Sequence, residues 1–533
     1  MFWLILAGCD KTADTDTDGP DCTGVDWASH GEPFVEVCTG CHSAANEGDD
    51  RQGAPEALNF DPPGGVEGFA SQMVAVGTGE SPRMPPDGME AAIRERFALY
   101  VECGLPNLPR PCTGDTWEGD LAVSAVSEGF CDTTRWVTGD LVVDGPQAPI
   151  DCLCGVGGDL VVGTAEISLP NLERVDGTVA LEGSEVVSVR LAGLERLGGA
   201  LTVEGNAALE VVELGRLGRS GRVRVRDNPV LETLDVSGLS EVTGSVTVRD
   251  NALLGALDLG ALTSIDGPLD VRGNPVLSAL VVPDALLVIP DTVQISTLPE
   301  LGALEGFAGT ESVVGTVHLE GLRADGVDVL GSARTVGSVQ LIDFGPLDRL
   351  HGFGALETVS GTLRVANVGP VGDLALFSEL REVQGGLVVD ELRGRAIIGF
   401  PSLERVGGAM DLSFNGALVE LRFPVLTEVN GLLVHDNPQL PGLSGLSALT
   451  TAGGTVEIYS NPALTSLTGL EGLTVIDGGL RLENVPALED LSALANLTEI
   501  RGDLLLRNVG GYDVPTLTTL FGNIAVTGTI TIE

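Results

Sequence analysis

Two thiols and one imidazole lie within a single short segment near the front of the chain, Cys38-Thr39-Gly40-Cys41-His42. From one helical turn, both sulfur atoms can form thioethers to the vinyl groups of one porphyrin while the imidazole binds its iron. The sequence has no second C-x-x-C motif and no His pair beside this segment, so half of a zinc site is disfavoured. The spacing therefore predicts covalent attachment of one c-type haem.

A second axial ligand for the iron is expected in a loop further along the chain. Met84 is held between prolines in the segment Ser-Pro-Arg-Met-Pro-Pro and is the best candidate. Met73 and Met89 lie among apolar residues at helical spacing, which favours packing in a core, and His30 is expected at the surface. Because a thioether ligand favours ferrous iron and fills the coordination sphere, this pair of ligands predicts electron transfer without a bound substrate.

The front of the chain resembles a small monohaem cytochrome c domain. The resemblance rests on residues 34–42, the Met-Pro-Pro loop at Met84 and a closing amphipathic pattern over residues 90–103. It implies a small all-α domain, which we assign to residues 22–110, carrying one covalent haem c. The residues to which the family's roles carry over are Cys38 and Cys41 for the thioethers, and His42 and Met84 for the iron.

The first residues include a candidate lipid attachment site. Leu6-Ala7-Gly8-Cys9 is similar to the lipobox of bacterial lipoproteins, in which the cysteine thiol takes a diacylglycerol. The apolar stretch before it is short and lacks a basic segment, so a chance cysteine near a truncated start is the alternative. We assign residues 1–21 to a lipoprotein signal remnant and an acidic tether. This predicts a bacterial cell-envelope protein, at the periplasmic face or the cell surface, held at the membrane by its lipid only.

The nine cysteines all lie at or before Cys154. One is the lipidation candidate and two belong to the haem motif, which leaves six whose pairing stays open. Cys22 and Cys103 bracket the haem domain, so a disulfide between them is a geometric guess. The remaining four are expected to form a Cys-rich cap on the following domain: Cys112, Cys131, Cys152 and Cys154.

Residues 111–533 are dominated by an internal repeat of the form V-x-G-x-L-x-V, with glycines roughly 19 to 24 residues apart. The second and fourth residues after each glycine are apolar, as at Leu201 and Val203, which predicts half-buried strands. The pattern resembles the receptor L-domain family, which implies a long right-handed parallel β-solenoid of about 18 rungs. The chain is therefore expected to be multidomain, with an all-α domain followed by this solenoid.

An Asn recurs six or seven residues after the repeat glycine. An inward Asn at a turn can bond the backbone groups of the rungs above and below it, and Asn also tolerates the left-handed backbone conformation. We therefore expect a structural role for Asn206, Asn228, Asn251, Asn274, Asn367, Asn415, Asn437, Asn461, Asn484 and Asn508.

The chain is strongly acidic, with 76 Asp and Glu against 29 Lys and Arg and a net charge of -47. Nucleic acids and anionic membrane surfaces need a basic footprint, so both are excluded as partners. Complementary charge steers encounter between proteins. We therefore expect a redox partner protein with a basic face.

One basic feature stands out on the predicted solenoid. At the fifth position after the glycine, consecutive rungs carry Glu182, Glu204, Arg226, Arg249 and Arg272, and Arg222 and Arg224 face the same side as Arg226. Stacked, the arginines would form a cationic ladder that binds an anionic ligand or docks a partner. The alternative is local neutralisation by acidic neighbours, namely Asp227, Asp250, Asp235 and Asp258.

Three functions follow from these patterns. The first is an envelope-anchored c-type cytochrome that transfers single electrons and uses the solenoid for docking; it is not an enzyme. The second is a cell-surface recognition or adhesion solenoid in which the haem is a sensor or accessory. A polysaccharide-active enzyme is disfavoured, because no Asp, Arg and Lys cluster recurs on one face and His318, His351 and His435 have dissimilar surroundings.

Overall fold

The computed structural model describes residues 114–145, 150–163, 166–183, 185–323, 326–344, 349–368, 375–397 and 399–533. From Asp115 onward these residues form one long parallel β-solenoid of about 17 turns, close to the expected number. The predicted all-α haem domain lies outside the described residues, as does the start of the predicted solenoid domain at residue 111. The large β-solenoid itself is confirmed.

The longest ladder of strands follows the repeat glycines, and we call it the central ladder. Its strands pair in parallel with consecutive rungs in register, as in Leu201 with Val223 and Val223 with Val246. These residues are fully buried while the residues between them face outward, which is the alternation predicted from the sequence. The central strands are Leu121–Ala122, Leu141–Val143, Leu160–Val162, Val179–Glu182, Ala200–Glu204, Arg222–Arg226, Val246–Arg249, Leu269–Arg272, Val293–Ser296, Ser312–Glu320, Thr335–Ile342, Leu363–Ala366, Leu387–Asp390, Arg405–Ser413, Glu428–His435, Val456–Tyr459, Leu480–Val485, Leu504–Val509 and Ile530–Ile532.

A second set of short strands, the leading ladder, precedes the glycines. The chain turns between the two ladders at a corner where consecutive rungs come very close. A Cβ on Gly199 would lie 2.7 Å from the carbonyl carbon of Gly177, so only glycine fits there. The leading strands are Asp115–Trp117, Thr134–Val137, Gly155–Val156, Arg174–Val175, Arg196–Leu197, Arg219–Ser220, Glu241–Val242, Ser264–Ile265, Val288–Ile289, Thr358–Val359, Glu382–Val383, Thr451–Ala452, Val475–Ile476, Glu499–Ile500 and Ala525–Val526.

A third set, the closing ladder, completes the turn and encloses the core. Its strands are Ile167–Ser168, Ser188–Arg190, Val211–Glu213, Thr233–Asp235, Ala256–Asp258, Ala279–Val281, Leu304–Gly306, Gly326–Val329, Arg349–Gly352, Ala396–Ile397 and Glu420–Leu421. Short 3-10 helices occur at Val123–Ala125, Ala375–Phe377, Ser444–Leu446 and Ser492–Leu494, and α-helices at Phe130–Thr133 and Val514–Phe521.

Phenylalanine rings stack from turn to turn inside the solenoid. The ring centroids of Phe353 and Phe377 are 5.7 Å apart, and Phe400 lies 5.4 Å from both Phe377 and Phe423. All four rings are buried. This spacing follows from the rise between rungs, because equivalent side chains of successive turns lie one strand separation apart.

Buried asparagines form hydrogen-bonded chains beside the central ladder. Asn228 donates from Nδ2 to the carbonyl of Val203 at 3.1 Å and to Oδ1 of Asn251 at 2.9 Å. Its own Oδ1 accepts from the backbone N–H and from Nδ2 of Asn206, both at 3.0 Å. The predicted structural role is confirmed for the buried members, Asn206, Asn228, Asn251, Asn274, Asn415, Asn437 and Asn461.

The prediction of an inward Asn is wrong for Asn367, Asn484 and Asn508. These three occupy the preceding position of the turn, where the backbone has positive φ values of 48°, 53° and 51°. Their side chains are not buried. They are six residues from the repeat glycine, whereas most buried asparagines are seven away. Because of this one-residue difference, they have a left-handed backbone and their side chains do not point inward.

The first turns contain the disulfide Cys131–Cys152, whose Cα atoms are 5.5 Å apart. Cys154 is also disulfide-bonded. These bonds agree with a Cys-rich cap at the front of the solenoid. Among the described residues, no helix combines the length and the apolar character required to cross a membrane.

Replacing Asn228 with Ala should lower the free energy of unfolding by about 3 kcal/mol, because it leaves several buried donors and acceptors without partners. The midpoint of urea unfolding measures this loss. The matched control is Asn508→Gly, which should change stability by less than about 0.5 kcal/mol since glycine adopts a positive φ freely. Equal losses of unfolding free energy in the two variants would contradict the structural role of the buried Asn228.

Candidate functional site

The structure brings the three predicted arginines into one column on the outer face of the central ladder. Arg226 pairs in register with Arg249, and Arg249 pairs with Arg272. Each lies at the end of its strand, on the face opposite the buried valines. Arg222 and Arg224 share this face with Arg226, as the alternation of the strand requires.

Carboxylates lie against this arginine column. Arg226 donates a hydrogen bond to Glu204, its register partner on the preceding rung, and this bond raises the pKa of Arg226. Arg272 Nε is 3.3 Å from Oδ1 of Asp270. Weaker contacts of 3.9 Å join Arg226 to Asp227 and Arg249 to Asp250.

Two of the four carboxylates expected to neutralise the arginines do not lie beside them. Asp235 and Asp258 belong to the closing ladder, where they accept hydrogen bonds from the backbone N–H groups of Ser237 and Gly260. The carboxylates that do lie beside the arginines are Glu204, which the repeat places in the same column, and Asp270, which the sequence analysis did not single out. Glu204 is one rung earlier than Arg226, and Asp270 is two residues before Arg272 on the same strand.

Asp270 is the least exposed of the carboxylates that contact the arginine column. Its side chain is 18% exposed, and burial raises its pKa, while Arg272 and Arg249 act in the opposite direction. The arginines therefore stabilise a partly buried carboxylate of their own chain. This use of their charge weakens the case for an anionic ligand at Arg226, Arg249 and Arg272.

Replacing Arg272 with Gln should destabilise the solenoid by about 1–2 kcal/mol at neutral pH, because Asp270 loses its nearest cation. An acid whose pKa is raised by folding favours the folded state more strongly once it is protonated. The loss should therefore shrink as the pH falls from 7 through the pKa of Asp270. Urea unfolding of Arg272→Gln measured across this pH range checks the prediction.

Two controls accompany that measurement. Arg334 pairs with Glu357 while its side chain is 71% exposed, so Arg334→Gln should cost less stability and show no such pH trend. Adding Asp270→Asn to Arg272→Gln should remove the pH trend. A trend that persists in the double variant would rule out Asp270 as its source.

A second surface feature was not predicted, and we call it the aromatic column: Phe414, His435, Tyr459 and Arg481. His435 and Tyr459 are register partners whose rings stack, with centroids 4.5 Å apart and planes 6° apart. The rings of Phe414 and His435 are nearly perpendicular, with centroids 5.3 Å apart, and Cζ of Arg481 lies 4.2 Å from the centre of the Tyr459 ring. The column thus extends across four consecutive turns.

Carboxylates surround the aromatic column. His435 Nδ1 is 2.9 Å from Oδ2 of Asp436, and its Nε2 is 3.5 Å from Oδ1 of Asp411. Arg481 Nη1 is 3.1 Å from Glu457 and also bonds Glu483. Burial raises the pKa of Tyr459. The column therefore combines aromatic rings with acidic groups, a combination that attracts cations.

Phe414 is the exposed end of this column. Its side chain is 55% exposed and its backbone has φ of 56°. Successive turns place Glu391 before it and Asp436 after it, as shown by the backbone bonds from Glu391 N to Ser413 O and from Phe414 N to His435 O. The only signal in the sequence was the spacing of the aromatic residues, which matches the repeat step once the rungs are aligned.

The other predicted site residues are not among those that the structure describes. Cys9, Cys38, Cys41, His42 and Met84 all lie before residue 114, so their roles stay predictions. In the described part of the chain, no group of three or more His, Cys, Asp or Glu side chains is placed to hold a metal ion.

The fold defines the described part of the chain as a parallel β-solenoid protein. No protein-family model matches the chain, and no curated protein shows significant similarity to it.

Proposed function

We propose that this chain is an envelope-anchored c-type cytochrome whose β-solenoid serves as a docking or recognition surface. The observation that carries the proposal is the segment Cys38-Thr39-Gly40-Cys41-His42. Its two thiols are spaced for thioether attachment, and the adjacent imidazole is spaced for the iron of the same macrocycle. When bound, a haem c supplies one-electron oxidation and reduction.

His42 and Met84 would hold the iron of the haem. Two protein ligands leave no coordination position for a substrate, which supports electron transfer and not an enzymatic reaction. A thioether ligand also raises the reduction potential relative to two imidazoles. Met84 lies between prolines, which restrict the backbone around the ligand and favour a fixed position for it.

The charge of the chain supports a partner with a basic face. The net charge is -47, and many of the arginines described on the solenoid are already paired with carboxylates of the same chain. The remaining acidic groups produce a negative field that speeds encounter with a positively charged protein. The same field disfavours nucleic acid and anionic lipid surfaces.

The class of solenoid is part of the proposal. The glycine-led repeat resembles the receptor L-domain family, and a right-handed course agrees with the strong preference of parallel crossover connections for that hand. Repeats of this kind present extended surfaces for binding, so the fold is compatible with a docking role.

Haem attachment is tested by expressing the chain in a bacterial host that has a c-type maturation system. The purified chain should show a Soret band and the added mass of one haem under denaturing conditions. Replacing Cys38 and Cys41 with Ser should abolish the covalent mass. Met84→Ala should retain the haem but lower its reduction potential, because a thioether ligand raises it. A colourless wild-type chain would refute the proposal.

Lipid anchoring is tested at Cys9. The wild-type chain should fractionate with membranes and incorporate a labelled fatty acid, because two or more acyl chains hold a protein stably in a bilayer. Cys9→Ser should shift the chain to the soluble fraction and remove the label while leaving the haem spectrum unchanged. Fractionation that is identical for both chains would exclude the anchor.

A second candidate function is cell-surface recognition, with the haem as a sensor or accessory. The exposed ring of Phe414 favours it, because exposed aromatic side chains are common at binding surfaces. Binding of the full chain to intact cells distinguishes the two. Recognition should survive in the Cys38→Ser and Cys41→Ser chain, whereas electron transfer to an added acceptor should not.

A further inference from the structure

We propose that Phe414, together with Glu391 and Asp436, is a docking site for a lysine or arginine side chain of a basic partner protein. The inference deepens the proposed function, on which it rests for the role of that partner. The three residues belong to consecutive turns and lie at the same position of the repeat, immediately after the central strand.

The backbone at this position is left-handed in turn after turn, which normally selects small or polar residues. Phe414 is the only aromatic residue among the members of this position that the structure describes with positive φ, namely Gly183, Gly205, Asp227, Asp250, Gly273, Thr297, Gly321, Asp343, Asn367, Glu391, Phe414, Asp436, Ser460, Asn484 and Asn508. A bulky side chain therefore occupies a strained backbone at a place where the fold accepts glycine.

Burial does not compensate this strain at Phe414. Phe307 and Phe353 also have positive φ, but both rings are packed in the core, where the apolar contacts they gain offset the conformational cost. The ring of Phe414 is 55% exposed instead. A residue that is both strained and exposed suggests selection for contact with another molecule.

The charges beside the ring identify the chemistry of that contact. Glu391 and Asp436 lie one turn to either side, which is about 4.8 Å along the solenoid. The carboxylate of Glu391 forms no ion pair within the described part of the chain. The nearby guanidinium groups form their hydrogen bonds with other residues, Arg364 with Asp390 at 2.8 Å and Arg393 with Asn367 at 3.1 Å. The bond to Asp390 raises the pKa of Arg364, although the charge of Glu391 also raises it. The backbone of Phe414 therefore lies between the backbones of two acidic residues on adjacent turns.

At the opposite end of the aromatic column, an arginine of the chain itself makes the kind of contact that we propose for the partner. There the guanidinium of Arg481 lies over the ring of Tyr459 and bonds the carboxylates of Glu457 and Glu483. At the Phe414 end, no guanidinium group lies over the ring among the described residues, and Asp436 contacts the imidazole of His435 instead of an arginine. A partner's lysine or arginine would supply the cation, through a cation–π contact and two ion pairs.

A neutral saccharide is the competing ligand, because sugars also stack on exposed aromatic rings. The carboxylates on both sides of Phe414 favour the cation, since a ring flanked by two negative charges gains far more from a positive group than from an uncharged one. The net charge of -47 acts in the same direction by concentrating basic proteins near the surface.

The experiment measures binding of a fluorescently labelled oligoarginine peptide to the full chain at low ionic strength. Phe414→Ala should weaken binding about threefold, because exposed cation–π contacts contribute modestly. Phe414→Trp should bind at least as well as the wild type, since Trp is the best partner for a cation. Phe414→Gly should also weaken binding while raising or preserving the thermal unfolding temperature, because glycine relieves the left-handed strain.

Matched controls separate the site from the general acidity of the chain. Val314 is 65% exposed, so Val314→Ala removes exposed apolar surface elsewhere and should leave binding unchanged. Glu391→Gln with Asp436→Asn should weaken binding about threefold more than Glu305→Gln with Glu311→Gln, which removes the same charge from exposed acids of other turns.

The outcomes distinguish this inference from the proposed function because the haem spectrum is recorded on the same samples. Binding that depends on Phe414 supports the docking site whether or not the chain is coloured, and a colourless chain refutes only electron transfer. A coloured chain that binds equally well with Phe414→Ala overturns the docking site. Loss of cellohexaose binding in Phe414→Ala, with peptide binding unchanged, would also overturn it by assigning the ring to a sugar.

Discussion

The structure depends on hydrogen bonding between adjacent turns. Each central strand uses its backbone groups to pair with the rungs before and after it, and the corner glycines allow those rungs to approach closely enough. The buried asparagines extend the same bonding into the turn, where backbone groups would otherwise have no partner. Once this register is set, equivalent side chains of successive turns fall into columns. Every surface feature described above is a consequence of that alignment.

The alignment of equivalent side chains explains how one fold can present a column of positively charged arginines on some turns and a column of aromatic rings with carboxylates on others. In the arginine column, arginines of consecutive rungs are register partners, and the carboxylates of Glu204 and Asp270 lie against them. In the aromatic column, rings are stacked and carboxylates surround them. In the first arrangement, each of the three arginines has a carboxylate of its own chain within 4 Å. The second leaves the ring of Phe414 half-exposed and the carboxylate of Glu391 without an ion pair in the described part of the chain.

The repeat made the solenoid predictable, because glycine spacing and apolar alternation report directly on corners and half-buried strands. The same reasoning identified the three arginines as neighbours, since they occupy one position of the repeat. It failed where a shift of one residue changes the role of a side chain, as it does between Asn228 and Asn508. It also failed for Asp235, because assigning a carboxylate to an arginine requires knowing which ladder each belongs to.

Each turn of the solenoid contacts mainly its two neighbours, so a whole turn can be added or removed without changing the contacts within the other turns. Gain or loss of one turn between Arg272 and Phe414 would preserve the columns on either side and alter only the distance between them. Duplication of a single repeat in the gene could therefore adjust the separation of these two surfaces in fixed increments. Evolution can in this way vary the reach of the molecule while leaving the chemistry of each surface untouched.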